Sequence, residues 1–276
     1  MNLLVTGATG HVGGALVGQL AEAGLTARAL VRRDAALPAG IEPVRGDLND
    51  PASVVQAVQG VDRVFLVWPM GDPAAARDAV AAMAGCRIVY LSSHGASEDE
   101  DRSPILRMHG TLERLIRELA GGWTLLRAGG FAANTLGWAD QIREHRTVRW
   151  PYGEARRSLV HEADLAAVAF RALTTDGLLG ATPHLTGPQV LSQIEQVETI
   201  GDVLEDPVTW VELDRDRARE QMLEWGWLDG AVDGALDAWA RMVTDPEVVS
   251  PDVERLLGSP ARPYAQWVRD HVDAFR

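Results

Sequence analysis

The run Leu3-Leu4-Val5-Thr6-Gly7-Ala8-Thr9-Gly10-His11-Val12-Gly13 decides the fold. It begins as an apolar β-type segment and breaks at Gly7, and a helical pattern then runs from Val12 through Ala23. Strand, glycine turn and helix in that order are what a nucleotide pyrophosphate needs. Gly7 permits the tight turn, Gly10 lets backbone approach a phosphate, and Gly13 lets the helix lie close on the strand. The helix N-terminus then offers free N–H groups and the positive end of its dipole. A bland βα turn would share the glycines, but a second strand, Thr26 to Val31, follows at the expected distance. Gly7, Thr9, Gly10, His11, Val12 and Gly13 are therefore expected to cradle a dinucleotide.

The end of that second strand bears on which dinucleotide. Many NAD sites place an Asp or Glu about 20 residues past the glycines, to hold the ribose 2′-OH. Here Arg32 and Arg33 stand in that place, with Asp34 just beyond. A carboxylate repels a 2′-phosphate, whereas paired guanidiniums grip it bidentately. The alternative is a solvated loop after the strand. The expectation is NADP(H) preferred, with NAD(H) possible.

Composition narrows the classes. The 276 residues carry 39 acidic and 26 basic side chains, a formal net charge of −13, which argues against nucleic acid because its phosphates would be repelled. Every basic residue other than histidine is arginine. With no lysine, Schiff-base catalysis is excluded, as is any mechanism in which a lysine lowers a tyrosine pKa. Cys86 is the sole cysteine, so no intrachain disulfide or cysteine-based zinc site forms, and a reduced, buried thiol is expected. No apolar stretch reaches the roughly 18 residues a membrane span needs. No signal peptide is read before the first strand, so the expected compartment is the cytoplasm. A Gly-x-Ser-x-Gly elbow, metal-ligand spacing and internal repeats are all absent from the sequence.

Strand and helix patterns then alternate, which predicts an α/β, Rossmann-type doubly wound parallel sheet. Strands are expected at 42–45, 63–67, 88–91 and 123–127, and helices at 51–59, 73–83 and 109–119. Ligands bind beyond the carboxyl ends of such strands, so Gly7, Arg32, Asp47, Trp68, Ser92 and Ala128 are the ends to watch. Residues 1–150 are read as the dinucleotide-binding domain. Residues 151–276 are read as a substrate-binding region with a helical cap, returning to the sheet near 158–186.

Taken together, these segments resemble a family. The Thr6–Gly13 opening, Gly46-Asp47-Leu48, Tyr90-Leu91-Ser92-Ser93, the block Trp123–Asn134, Val160–Ala166 and Leu185-Thr186-Gly187-Pro188 are similar to the NmrA-like, NAD(P)H-binding branch of the atypical short-chain dehydrogenases/reductases. The resemblance spans nearly the whole chain and is weakest over 214–250. It implies that Asp47 and Leu48 flank the adenine, Trp68 and Pro69 lie along the nicotinamide ribose, and Ser92 and Phe131 sit beside the nicotinamide. Members include quinone reductases, tailoring reductases of secondary metabolism, including antibiotic biosynthesis, and regulators that bind dinucleotide without turning it over. The Tyr-x-x-x-Lys pair of typical short-chain reductases is absent, and His94 occupies the lysine offset from Tyr90.

Catalytic candidates are thus Ser92, Ser93, His94 and His109. A serine hydroxyl can meet an oxyanion and a histidine can donate a proton near neutral pH. His109 and Glu113, four apart, share a helix face, and are either a crevice pair with Glu113 orienting the imidazole or an ordinary pair near a helix N-terminus. Substrate-side candidates are Met70, His94, Phe131, Asn134, Trp138, Trp150, Tyr152, Trp225 and Trp227. Trp225-Gly226-Trp227 falls in a break between two helical stretches, where it can form an aromatic lid or simply fill a core. Asn134 and Asp164 also have cap-like settings. Two functions remain open: an NADPH-dependent reductase of a carbonyl or quinone, on a bulky aromatic small molecule, or a non-catalytic dinucleotide sensor. The oligomeric state is not legible.

Overall fold

The computed structural model describes residues 1–69, 73–99 and 103–276. The strand β1 (Leu3–Val5) is buried on both faces, as an all-apolar strand must be when helices cover both sides of a parallel sheet. It pairs in parallel with β2 (Ala27–Val31) on one side and β4 (Arg63–Leu66) on the other. With β3 (Ile41–Arg45), β5 (Arg87–Ser93), β6 (Gly122–Ala128) and β9 (His184–Leu185) these form a seven-stranded sheet in the order β3-β2-β1-β4-β5-β6-β9, every pairing parallel. The order reverses between β1 and β4, which puts the switch point, where ligands enter such sheets, at the end of β1.

The helices α1 (His11–Glu22), α2 (Pro51–Ala57), α3 (Pro73–Ala82), α4 (Pro104–Leu119) and α6 (Glu162–Thr174) cover that sheet. Asp50 caps α2, with its side chain accepting from the Ala52 amide, and Ser103 caps α4 from the Leu106 amide; both helices open on proline at a position where no N–H is needed. Sheet and helices form one compact unit, residues 1–128 and 162–185.

The second unit comprises 129–161 and 186–276. It opens with a 3₁₀ segment, Ala132–Trp138, running into α5 (Ala139–His145). A parallel pair, β7 (Thr147–Trp150) with β11 (Thr209–Glu212), and an antiparallel pair, β8 (Arg156–Arg157) with β10 (Leu191–Ser192), are each two-stranded. The helices are α7 (Gln193–Leu204), α8 (Arg215–Glu224), α9 (Asp229–Thr244), α10 (Asp252–Leu257) and α11 (Tyr264–Asp270). Its core gathers Trp138, Trp150, Ile200, Met222, Leu236, Trp267 and Phe275.

Several expectations change. The division falls at 128/129 rather than at 150, because β7 pairs with β11 of the second unit and not with the large sheet. The return to the sheet is α6 and β9, whereas the 158–161 segment stays in the second unit, bridged from Val160 to Phe131. Strand β5 runs on through Ser92 and Ser93, and α4 starts at Pro104, so His109 and Glu113 lie in mid-helix rather than near its start. Asn134 sits inside the 3₁₀ segment and Asp164 inside the first turn of α6, so neither is an N-cap. Among the described residues no helix is long and apolar enough to cross a membrane.

Candidate active site

In the first unit, the glycine turn has the required geometry. Gly7 takes φ +63°, a left-handed conformation that side chains disfavour. A Cβ on Gly13 would sit 2.1 Å from the Gly7 carbonyl oxygen, so only glycine lets α1 start this close to the turn. A Cβ on Gly10 would meet only that same oxygen, at an ordinary 3.4 Å, which leaves room on its outer side. No side chain caps α1 and no carboxylate lies in its first turn, so its leading N–H groups are available to a phosphate. Thr9, Gly10 and His11 are exposed there, while the Val12 side chain is buried and can offer only backbone.

Because β1 and β2 are parallel, Arg32 and Arg33 follow β2 on the same sheet edge as Gly7. Both are exposed and have no ion-pair partner among the described residues; Asp34 instead faces Arg45 at 3.9 Å. Beyond β3, the Asp47 carboxylate accepts from the Asn49 amide at 2.9 Å and fixes that turn. Leu48 is buried in the core, and Pro69 is exposed. Trp68 is 5 % exposed, and its buried Nε1–H has no acceptor among the described residues. An orphaned donor of this kind fits a position where a ligand oxygen arrives. These residues fit a bound dinucleotide.

The polar heart of this unit lies between β5, α4 and β6. The Tyr90 hydroxyl is 2.6 Å from Nδ1 of His109. Tyr90 is fully buried, and burial pushes its phenol far above the ordinary value, so it stays protonated. Its hydrogen needs an acceptor, and Nδ1 is the partner present, which leaves the His109 proton on Nε2. Burial lowers His109 to about 4, with the Glu113 charge opposing only in part, so the imidazole is neutral at neutral pH. Glu113, 1 % exposed, does not bond His109. Its carboxylate accepts from Ser92 Oγ at 2.6 Å, from Arg127 at 2.9 and 2.7 Å, and from Arg117 at 3.0 Å. Burial alone would raise the Glu113 carboxyl, but the hydrogen bonds from Arg127 and Ser92 and the two guanidinium charges outweigh it and hold it below the ordinary range.

Ser92 is therefore turned inward onto Glu113 and buried, away from the open strand end expected for it. Ser93 is half-buried and bonds the His94 carbonyl at 3.3 Å. The His94 ring is exposed and stacks on His184 with centroids 3.7 Å apart.

In the second unit, Asn134, Trp138, Trp150, Trp225 and Trp227 come together around one cavity of about 260 Å³, with Trp239, Leu159, Thr135, Gly137, Arg157, Gln193 and Gln196. The Trp150 ring stacks on Trp225 at 5.4 Å and meets Trp239 edge-on at 5.3 Å. Trp225 and Trp227 occupy the break between α8 and α9, turned by Gly226 at φ +84°, and remain 46 % and 40 % exposed. Tyr152 lies apart from this lining; its hydroxyl meets Arg215 at 3.5 Å and its ring packs on the core. Phe131 precedes the 3₁₀ segment, half-buried. Met70 falls outside the described residues. Arg127 and Arg157 were not singled out from sequence, since each looks like an ordinary arginine at a strand end and acquires its meaning from a glutamate 14 or 90 residues away. Among the described residues no group of three or more metal-ligating side chains gathers.

The turn, the uncapped helix and the strand order define a dinucleotide-binding α/β protein. A family profile described as NAD(P)H-binding matches residues 7–176. The chain belongs to that family and is an oxidoreductase. It is 37 % identical to a (4-alkanoyl-5-oxo-2,5-dihydrofuran-3-yl)methyl phosphate reductase of Streptomyces griseus, over 99 % of both chains. It is 32 % identical to an NAD(P)H azoreductase of Xenophilus azovorans, again over 99 % of both. The fold matches the NADPH-dependent quinone oxidoreductase QOR2 of Escherichia coli, solved with NADPH, at a TM-score of 0.81 and 23 % identity over 98 % of this chain and 99 % of that one. Full-length relatives that are reductases do not favour the dinucleotide-sensor alternative.

Proposed function

We propose that this reductase uses NADPH in preference to NADH to reduce a carbonyl or quinone group on a compact aromatic molecule. The observation that carries the reading is the tryptophan-walled cavity of the second unit, whose indole faces suit a planar ring system. At about 260 Å³ it is at the small end of ligand pockets, which favours two or three fused rings over the bulky metabolite the sequence suggested. The unpaired Arg32 and Arg33 support NADPH, since they match a 2′-phosphate and leave the 2′-OH of NADH without a carboxylate. A lone cysteine, Cys86, buried and bonded to the Val61 carbonyl with its thiol raised by burial, supports a reducing cytoplasm.

Bound NADPH supplies the hydride. The Gly7–Gly13 turn and the start of α1 hold the pyrophosphate, and Arg32 and Arg33 the extra phosphate. Within the first unit no strong acid stands ready among the described residues: Glu113 is ionised and fully engaged, Ser92 is spent on it, and His109 is neutral. Acceptors whose reduced forms are weakly basic, as quinols are, need no strong acid from the protein. The test is NADPH consumption with a panel of naphthoquinones, aryl ketones and azo dyes. Turnover of the first two, faster with NADPH than NADH, is expected; no turnover of any quinone or ketone overturns the reading.

A further inference from the structure

The cavity has a polar side with a definite donor and acceptor pattern. Arg157 donates from Nε and Nη2 to Glu247 Oε1 at 3.1 and 3.0 Å, and its Nη1 has no protein partner among the described residues. The guanidinium is wedged over Gly130, where a Cβ would come within 2.7 Å of its central carbon, so its direction is fixed. Gln193 spends its Nε2 on the carbonyl oxygens of Pro151 and Tyr152, both at 2.9 Å, and Gln196 spends its own on Leu191 at 3.3 Å. Among the described residues each amide therefore keeps Oε1 as an unused acceptor, although the two residues are only 4 % and 2 % exposed. All three side chains line the cavity, so it offers one N–H donor and two carbonyl acceptors against indole walls.

Charge decides what the donor accepts. Glu247 already neutralises Arg157 and is itself held by the Ser158 amide at 3.0 Å. Arg157 thus presents an N–H without a net positive field, and a second anion there would meet Glu247 at short range. A neutral carbonyl oxygen takes the hydrogen bond without that repulsion. The two glutamine oxygens call for hydroxyl hydrogens, because a ligand that covers them without donating leaves their acceptors unmet.

We infer that this cavity selects neutral hydroxylated aryl carbonyls, hydroxyquinones among them, over anionic aromatics. Arg157 Nη1 takes the carbonyl oxygen and Gln193 and Gln196 take the hydroxyls. As a statement about substrate it rests on the reductase reading above; as a statement about binding it stands on the cavity.

Calorimetric titration of the full chain with 6-hydroxy-1-tetralone, 1-tetralone and naphthyl phosphate, with NADPH consumption followed in parallel, separates the two. The hydroxytetralone, whose hydroxyl is too far from its own carbonyl to bond it, should bind about tenfold tighter than 1-tetralone, and naphthyl phosphate should bind weakest. Arg157→Lys, which keeps an ion pair with Glu247 but loses the fork, should weaken both ketones about tenfold. Gln196→Met should erase the hydroxytetralone advantage while leaving 1-tetralone unchanged. If Gln196→Met does not fold, Arg157→Lys decides alone. Naphthyl phosphate binding as tightly as hydroxytetralone, or wild-type affinities in the folded variants, overturns the inference. Turnover without these effects sinks the inference and spares the reductase reading; the binding pattern without turnover does the reverse.

Discussion

The Tyr90 hydroxyl and Nδ1 of His109 lie 2.6 Å apart, their rings tilted by 40° across a centroid distance of 5.7 Å. Strand β5 delivers the phenol and mid-helix α4 the imidazole, so two rigid elements fix the bond. It holds His109 in one tautomer, and burial keeps the ring uncharged above a pH of about 4.

The first prediction concerns pH. A histidine whose folded pKa is depressed binds its proton more readily when the chain unfolds. Its contribution to stability is therefore complete above the unfolded value near 6.5 and is lost as pH falls toward about 4. Thermal melting across that window should show stability falling with acidity, and His109→Gln should flatten the fall. A wild-type Tm that is level through the window contradicts this.

The second concerns Glu113, where the sign is the same and the range lower. Its folded pKa lies below the ordinary carboxyl value, so its stabilisation is present above that value and disappears as pH drops through the folded one. Glu113→Gln should cost about 3 kcal/mol at neutral pH, because it strips a buried carboxylate from Arg127, Arg117 and Ser92. Urea unfolding measures it; a loss under about 1 kcal/mol would mean the network is worth no more than a surface pair.

The cofactor preference rests on Arg32 and Arg33. Replacing both by Ala should weaken NADPH binding by roughly 2–4 kcal/mol and leave NADH nearly unchanged. Titration with both dinucleotides checks it. Equal losses, or a wild-type preference for NADH, would show that the pair is only a solvated loop.

The fourth concerns proton supply. Each of Ser92→Ala, Ser93→Ala, His94→Ala and His109→Ala should lower kcat less than about tenfold at saturating NADPH, and Tyr90→Phe should keep most activity. A dedicated general acid would be worth about 10²–10⁴. One drop of that size, with cofactor binding intact and the fold preserved, would identify the donor.

The strand–turn–helix at the N-terminus was fully legible, because each glycine answers a local steric need that the string itself displays. The parallel sheet was legible too: Val64–Leu66 of β4 and Ile88–Leu91 of β5 are buried on both faces and read as largely apolar runs. Asn134, Trp138, Trp150, Trp225 and Trp227 were picked as large or polar side chains beyond the sheet, and the structure brings all five to one cavity. What stayed hidden depends on distant partners. Ser92 looked like a free strand-end hydroxyl until α4 placed Glu113 against it, and nothing near Arg157 in sequence announces Glu247. The short pairs β7–β11 and β8–β10 escaped notice because strands of two to four residues carry too little periodicity to read.

The return of residues 162–185 to the first unit has a consequence for how the chain is made. A ribosome that has released 128 residues has delivered six of the seven sheet strands, but neither α6 nor β9. Until residue 185 emerges, β6 exposes a bare edge and α1 lacks the helix whose Ala163 carbonyl receives the Gln19 amide. Residues 129–161 are by then already outside, waiting for partners still unsynthesised. Neither unit can finish before the other has begun, so cutting this protein within residues 129–161 should yield fragments that hold together only when mixed.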